Sequence, residues 1–470
     1  MVSEYKNKRI ALIGFGAENR AMLPYLLARG AEITICDKNE SLEFPSADAK
    51  PHLGKDYLSG LNNFDAIFRS PGIPYLTQEI QEAKRAGVDV TSQTKLFFGK
   101  CPAKIIGVTG TKGKGTTASL IYEILKSAKK KKEIMGHPYL VGNIGVPAAT
   151  LLDKVAAEDW IVYELSSFQL QDLDKSPHVA VVLNITEDHL DHHRTLEEYI
   201  AAKKNVVRYQ TNNDFAVINF DSDIARSFAE ETKAQTFYFS KNSQVERGVC
   251  VLQLYQRESI EWSDNPKGSL ALRLPGQAAR AIVDVKDIYL PGEFNLENIA
   301  AAITTTALLG VGDGSIQSGI SSFKGLPHRF EYVGKFKGVS FYDDSMATVP
   351  DATIAAIKSF NVPVTLIVGG SRKGADFTDL ARTISMSSVE NVICIGEEGG
   401  RIGELLNKLS ARQKVVKGAG TMKEIVRQAV EIAKPGSVVL LSPAAASFDM
   451  FNNASDRGEQ FKRAVPKSWF

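Results

Sequence analysis

Cysteine is scarce. The 470 residues hold four, Cys36, Cys101, Cys250 and Cys394, far apart and with no Cys-x-x-Cys pair. That argues against a zinc site and for a reducing compartment. Net charge is nearly absent: 56 basic and 54 acidic residues leave +2. No strong electrostatic case exists for nucleic acid or an anionic membrane surface. Long apolar spans and a signal-peptide pattern are missing as well, so a cytoplasmic protein is expected. The sequence has no low-complexity segment and no short-period repeat. Its one basic cluster, Lys129 to Lys132, falls where a helix should end and reads as a solvated C-terminus favoured by the helix dipole. What is present is globular: 44% hydrophobic and 23% charged residues. The chain is too long for one core, so several domains are expected.

The most informative stretch is Ile105-Ile106-Gly107-Val108-Thr109-Gly110-Thr111-Lys112-Gly113-Lys114-Gly115-Thr116-Thr117. An apolar run reads as a buried strand. A glycine-rich turn, a lysine and hydroxyls follow, then a helical pattern from Ala118. That order builds a phosphate cradle: backbone N–H groups close on the phosphates and Lys114 neutralises their charge. The match departs from the standard P-loop at two places. Val108 stands where a glycine is usual, and Gly115 where Ser or Thr is usual. Thr116 is then placed to ligate Mg²⁺.

Three αβ units follow in series. The first has the strand Arg9 to Ile13, then Gly14-Phe15-Gly16, a helix to about Arg29, and a strand from Glu32 ending at Asp37. This pattern fits a dinucleotide fold, except that Asn19 replaces the third glycine. A lone Gly-x-Gly serves a structural turn as well as a ligand site. Ser70-Pro71-Gly72 reads as a second tight turn. The second unit begins near Cys101-Pro102. Its later strands, Trp160 to Tyr163 and Val179 to Leu183, stop at Glu164 and at Asn184-Ile185-Thr186-Glu187-Asp188-His189. Ligands gather at the carboxyl ends of parallel strands, so Glu164 and His189 should converge on the P-loop. Residues from Thr236 to Leu290 read as antiparallel or irregular. The third unit starts near Gly325 and repeats strand and helix, with strands at Val339–Tyr342, Val364–Val368, Val392–Ile395 and Val438–Leu441. Another doubly wound sheet is expected.

ATP chemistry needs a phosphate cradle, a divalent metal and neutralising groups. Glu164 offers a hard oxygen for Mg²⁺, although a strand-terminal Glu is otherwise a solvated or capping residue. His189 sits in a rare cluster of acids and histidines. Thr195-Leu196-Glu197-Glu198 fits a capping box and starts a helix through Lys203-Lys204. By composition alone both lysines are surface charges.

The motifs lie in a distinctive order. After the P-loop come Gly142-Asn143-Ile144-Gly145, Glu164-Leu165-Ser166-Ser167-Phe168-Gln169-Leu170 and Tyr199-Ile200-Ala201-Ala202-Lys203. Farther on are Gly325-Leu326-Pro327-His328-Arg329-Phe330-Glu331, Asp343-Asp344-Ser345-Met346-Ala347-Thr348 and Leu441-Ser442-Pro443-Ala444-Ala445-Ala446-Ser447-Phe448. Along essentially the whole chain this resembles the Mur ligase family. The resemblance implies a three-domain α/β ligase: an N-terminal Rossmann-like domain (1–97) for a UDP-sugar substrate, a central P-loop ATPase-like domain (98–324), and a C-terminal Rossmann-like domain (325–470) for an amino acid. It implies ATP and two Mg²⁺ as cofactors, and addition of D-glutamate to UDP-N-acetylmuramoyl-L-alanine through an acyl phosphate, in peptidoglycan precursor synthesis. The expected partners are the two substrates, with no nucleic acid, no membrane and a monomeric chain.

The resemblance also implies roles. Lys114, Glu164, His189 and Lys203 form the catalytic group. Thr116, Glu164, His189 and a carbamylated Lys203 hold metal. ATP meets Gly110, Thr111, Lys112, Gly113, Lys114, Gly115, Thr116 and Thr117, with Asn298, Arg329 and Asp344. The UDP substrate meets Gly14, Gly16, Asp37, Gly72, Asn143, Ser166 and Gln169. D-Glutamate meets Thr348, Lys373, Ser447 and Phe448. Several positions depart from the family pattern: Met346 for a common lysine, Ala445 for a cysteine, Ala454 for an aromatic residue and Phe294 for a histidine. Lys38 and Asn39 also differ from the better-known uridine pocket. Rival readings are a folylpolyglutamate synthase, which lacks a separate domain before the loop, and another Mur ligase. The diaminopimelate-adding type would show Asp-Asn-Pro-Arg, which is absent. A nicotinamide dehydrogenase is opposed by the missing third glycine. A non-catalytic nucleotide-binding module would show no amino-acid-dependent phosphate release.

Overall fold

The computed structural model describes residues 4–43, 47–187, 193–252, 268–290, 292–372 and 374–466. Its architecture is α/β, with three sheets in chain order. The first contains β1 (Arg9–Ile13), β2 (Glu32–Asp37), β3 (Ala49–Leu53), β4 (Ala66–Arg69) and β5 (Asp89–Thr91), in the order β3-β2-β1-β4-β5 and parallel throughout. Alternate residues of β1 feed opposite cores. Ile10 and Leu12 pack with Met22, Ile33 and Phe68, while Ala11 and Ile13 pack with Cys36, Ile67 and Ile80. A strand covered on both faces needs a continuous apolar run, and Arg-Ile-Ala-Leu-Ile supplies one. The chain passes from β1 to β2 and β3 on one side and then crosses to β4 and β5 on the other, and this reversal of strand order beside β1 opens a crevice at the strands' carboxyl ends.

The second sheet has nine strands: β6 (Lys104–Thr109), β7 (Pro138–Gly142), β8 (Trp160–Glu164), β9 (Val179–Val182), β10 (Phe215–Asn219), β11 (Gln235–Ser240), β12 (Gly248–Leu252), β13 (Ser269–Arg273) and β14 (Arg280–Asp284). Their order is β14-β13-β12-β11-β10-β9-β6-β8-β7. From β7 to β12 all pairings are parallel; β12, β13 and β14 are antiparallel. The antiparallel expectation from Thr236 therefore holds for β12 to β14 and fails for β11. The short helical turns Asp223–Arg226 and Ser227–Glu230 return the chain so that β11 lies parallel to β10, as a crossover allows and a hairpin does not.

The Lys114–Lys130 helix covers β6. Its Leu120, Ile121, Ile124 and Leu125 are fully buried. Burial of each such side chain contributes roughly 1.5–3 kcal/mol, so the P-loop that starts this helix stands on a rigid base.

The third sheet contains β15 (Glu331–Phe336), β16 (Val339–Asp343), β17 (Val364–Gly369), β18 (Val389–Ile395), β19 (Lys414–Lys417) and β20 (Val438–Leu441), in the order β15-β16-β20-β17-β18-β19. Only β15 runs antiparallel. The apolar runs of the sequence mark the four inner strands but not β15 and β19, the two edge strands, whose residues are half-buried or exposed. The first two sheets lie in one compact unit and the third in another; the division falls after Ser322, with Val285–Asn295 joining the second unit.

Candidate active site

The P-loop is formed as the sequence predicts. β6 ends at Thr109 and the helix begins at Lys114 with no acidic residue in its first turn. Gly113 caps that helix at φ +85°, and a Cβ there would stand 2.3 Å from Asn298 Oδ1. Only glycine fits. The same contact places Asn298, a sequence-predicted nucleotide residue, directly against the loop. Thr117 is buried and donates to Asn298 Oδ1 at 3.1 Å. Thr116 is half-buried. Of the two neighbouring hydroxyls, Thr117 is thus committed to the protein interior.

Two ammonium groups converge on one carbonyl. Lys114 Nζ donates to Gly110 O at 3.1 Å and to Thr111 O at 3.0 Å. Lys203 Nζ donates to the same Gly110 O at 3.0 Å and to Thr109 Oγ1 at 3.4 Å. Lys203 is 1% exposed and lies over the Tyr199 ring at 4.7 Å. Here the structure corrects the compositional reading of Lys203 as a surface charge. Its neighbour Lys204 pairs with Glu231 at 3.1 Å. The helix that carries both, Leu196–Arg208, turns one lysine into the site and the other out. It starts as expected at Thr195, whose side chain accepts from Glu198 N at 3.3 Å. Only half of the capping box forms, because Glu198 Oε2 accepts from Arg194 N instead.

Thr111 fixes the loop to the end of β9. Its Oγ1 donates to Thr186 O at 2.9 Å and accepts from Thr186 N at 2.9 Å, so the Tyr199 hydroxyl at 3.0 Å is the donor in their contact. Glu164 ends β8, in register with Val108 and Gly142. It is 4% exposed, and its Oε2 is buried with no hydrogen-bond partner among the described residues. A buried carboxylate oxygen left unpaired is costly and fits a hard cation such as Mg²⁺. His189 and Lys373, both predicted site residues, lie outside the described residues. His193, from the same histidine-rich run, packs inward: its ring stacks on Phe168 at 5.4 Å and Nε2 meets Ser167 Oγ at 2.9 Å.

In the first sheet, Gly14, Gly16, Asp37 and Gly72 border one cleft of about 290 Å³, together with Tyr57 and Ser70, which the sequence reading missed. Asp37 is not free for a ligand alone. Its Oδ2 accepts from Phe15 N at 2.7 Å and its Oδ1 from Asn39 N at 2.9 Å. The other UDP candidates, Ser166 and Gln169, form a capping box on the Ser167–Leu170 turn. Gln169 Nε2 donates to Glu18 Oε1 at 2.6 Å, which fixes the amide so that its Oε1 accepts from Ser166 N at 2.9 Å. Burial pushes the Glu18 carboxyl above its ordinary range, opposed by the amides of Gln169 and Gln93 and by Arg69. Arg69 and Asp172, 1% and 4% exposed, pair at 3.1 Å; Arg69 also donates to Ile73 O and Phe168 O. No sequence signal separated Arg69 from an ordinary strand-end cation. Asn143 is exposed on the loop after β7.

In the second unit the loops after β16, β17 and β20 meet at the carboxyl ends of their strands. Asp344 accepts from Phe330 N at 3.1 Å and from Ser442 Oγ at 2.8 Å. Burial pushes its carboxyl up to about 7. Arg329 is exposed between His328 and Phe330, both in the left-handed region at φ +61° and +49°. Such non-glycine geometry costs of order 1–3 kcal/mol and must be held in place. His328 Nδ1 does so by pairing with Asp343 Oδ2 at 2.7 Å, which raises the imidazole's affinity for a proton. His328, Glu331 and Asp343 could together approach a cation, but Lys462 already lies 3.3 Å from Glu331. Thr348 is half-buried, Ser447 is buried and Phe448 is 70% exposed.

Three family models match along the chain: the Mur ligase MurD-like N-terminal domain over residues 8–92, the Mur ligase middle domain over 108–306, and the Mur ligase glutamate ligase domain over 328–445. A UDP-N-acetylmuramoylalanine--D-glutamate ligase of Acetivibrio thermocellus is 39% identical, with 98% of this chain and 96% of that protein covered. A protein of the same name from Ruminiclostridium cellulolyticum is 38% identical, with coverages of 98% and 97%. Among solved structures, the UDP-N-acetylmuramate-alanine ligase MurC of Thermotoga maritima matches with a TM-score of 0.60 at 17% identity, covering 97% of this chain and 99% of that one. MurF from the same organism, in complex with ADP, matches with a TM-score of 0.57 at 17% identity, covering 99% and 96%. At that identity the two structures share the fold. With three successive family models in order and full-length relatives beside them, the chain belongs to the Mur ligase family.

Proposed function

We propose that this protein is an ATP-dependent ligase that adds D-glutamate to UDP-N-acetylmuramoyl-L-alanine in peptidoglycan precursor synthesis. A carboxylate is a poor electrophile. Transfer of the ATP γ-phosphoryl group to a carboxylate oxygen gives an acyl phosphate and ADP. The amine then attacks the carbonyl carbon, the tetrahedral intermediate expels phosphate, and the nitrogen loses a proton to leave the amide. Such transfer depends on positioning and on neutralising negative charge.

The observation that carries this reading is the pair of lysines on Gly110 O. Two ammonium groups on one oxygen, Lys203 buried and Lys114 half-buried, concentrate positive charge on the loop, where it would neutralise ATP phosphate. Carbamylation of Lys203 would join its amine to CO₂ with loss of a proton, leaving an anion that attracts the Lys114 ammonium and a divalent cation. Mg²⁺ would be held by Thr116, Glu164, His189 and the Lys203 carbamate, and supplies charge neutralisation at the phosphate. Lys112, Gly115 and the rest of the Gly110–Thr117 loop wrap the phosphates, with Asn298, Arg329 and Asp344 assigned to the nucleotide. Gly14, Gly16, Asp37, Gly72, Asn143, Ser166 and Gln169 are assigned to the UDP substrate, and Thr348, Lys373, Ser447 and Phe448 to D-glutamate. These tasks divide among domains 1–97, 98–324 and 325–470. Among the described residues no helix is long and apolar enough to cross a membrane; a monomer acting in the cytoplasm is part of the same proposal. The test is phosphate release from ATP with UDP-N-acetylmuramoyl-L-alanine and D-glutamate, replaced in turn by L-glutamate, L-lysine and diaminopimelate. Turnover with one of these and none with D-glutamate overturns it.

A further inference from the structure

Arg457 is a charged side chain outside the groups assigned above to ATP, metal, the UDP substrate and D-glutamate. It lies on the Ala454–Ala464 helix and is 0% exposed. Its guanidinium makes four hydrogen bonds, all to neutral oxygens. Nε donates to Ser345 Oγ at 2.9 Å and Nη2 to Ser345 O at 2.8 Å. Nη2 also donates to Ala445 O at 3.1 Å, and Nη1 to Ala446 O at 3.2 Å. Ser345 belongs to the loop after β16, which carries Thr348. Ala445 and Ala446 belong to the loop after β20, which carries Ser447 and Phe448. The loop after β17 joins them, because Ser371 N donates to Ala446 O at 2.9 Å and Phe448 N to Ser371 Oγ at 3.2 Å. Ser345 Oγ in turn donates to Ala454 O at 2.7 Å, which closes the circuit onto the arginine's own helix.

A planar fork can hold three carbonyls and a hydroxyl of two loops at once; an ammonium cannot. Burying a guanidinium is expensive. Burial pulls its pKa down to about 10, with Asp449 and Asp343 compensating at longer range. Arg457 therefore remains a cation at neutral pH. A buried positive charge behind loops that face a dicarboxylate is electrostatically complementary to it.

We propose that Arg457 is the positioning residue of the amino-acid pocket: it fixes the loop of Thr348 against the loop of Ser447 and backs both with positive charge. The proposal rests on the assignment of those loops to the amino acid. The experiment separates the two half-reactions. Acyl-phosphate formation is trapped with hydroxylamine as the hydroxamate, with no amino acid present; ligation is followed as KM for D-glutamate. Arg457→Lys is expected to raise KM for D-glutamate about tenfold or more, since misplacing a binding group by about an ångström has effects of that order, while hydroxamate formation changes less than about twofold. Ser345→Ala, which removes one of the four bonds, is expected to raise the same KM about threefold. It serves as the test if Arg457→Lys does not fold. Equal loss in both half-reactions overturns the proposal, as does an unchanged KM. If the wild-type protein forms the hydroxamate but ligates a different amino acid, the D-glutamate assignment fails, and Arg457 is judged on the KM of that amino acid.

Discussion

The glycine-rich turns after β1 and after β6 each join a strand to a helix, and they have become different devices. After β6, Gly113 and Lys114 open a helix whose first turn has no acid, and two lysines reach the loop. After β1, the turn Gly14-Phe15-Gly16 opens the Ala17–Leu27 helix, whose first turn carries Glu18. Gly14 adopts φ +74°, and a Cβ there would stand 2.9 Å from Ile73 Cγ1. Its neighbour's N–H, at Phe15, is already taken by the Asp37 carboxylate. Both helices present a positive dipole end. What differs is the charge brought to it: cations at one, carboxylates at the other. The motif is shared, and the side chains arriving from other elements set the charge that each turn meets.

That contrast breaks first if Lys114 is dispensable. Lys114→Ala is expected to lower phosphate release at least about a thousandfold through lost charge pairing on the phosphates; a variant within tenfold of wild type would place phosphate elsewhere. Lys203→Ala is expected to lower turnover about a hundredfold, with partial recovery on adding short carboxylic acids that replace the carbamate. A near-wild-type Lys203→Ala removes the carbamate role. At the first turn, Asp37→Ala frees Phe15 N–H, and KM for the UDP substrate should rise about tenfold while KM for ATP stays constant. A rise in both would erase the division of labour.

Smaller effects sharpen the comparison. Thr116→Ala should weaken the Mg²⁺ dependence of turnover more than Thr117→Ala, because Thr117 is already spent on Asn298. Equal or reversed effects would misplace the metal hydroxyl. The smallest effect concerns Glu18, whose folded carboxyl sits above its ordinary value of 4.5. The folded state therefore binds that proton more tightly than the unfolded chain. Its contribution is fully present below about 4.5 and is lost as pH rises through the raised folded value. Glu18→Gln should flatten that part of the profile of denaturation free energy against pH; an unaltered slope means the carboxyl is not held as described.

The two turns also show how far the sequence could be read. The P-loop was legible because its glycines, lysine and helix are contiguous, and because each parallel strand ends in polar residues. Asn298 and Lys203 were reached only through family resemblance. Local pattern gives a helical lysine no reason to turn inward, and Lys203 and Lys204 are adjacent. Arg69, Glu18 and Arg457 were missed for a related reason. Each looks like a surface charge until the oxygens or amides that satisfy it arrive from distant loops. The edge strands β15 and β19 were missed because half-exposed strands lack the apolar run that marked β6, β17 and β20.

Chain order, apolar runs and glycine spacing by themselves determined three α/β units, a glycine-rich strand-to-helix loop after β6 and polar residues at strand ends, since each depends on neighbours within about a turn or a strand. Tertiary structure alone decided which charges are buried and what they touch. It put Lys203 beside Lys114 on one carbonyl, left Glu164 with an oxygen unpaired among the described residues, spent Asp37 on its own backbone and gave Arg457 two loops to hold. A charge's role is set by the dielectric and the partners around it, and those come from residues far away in the chain.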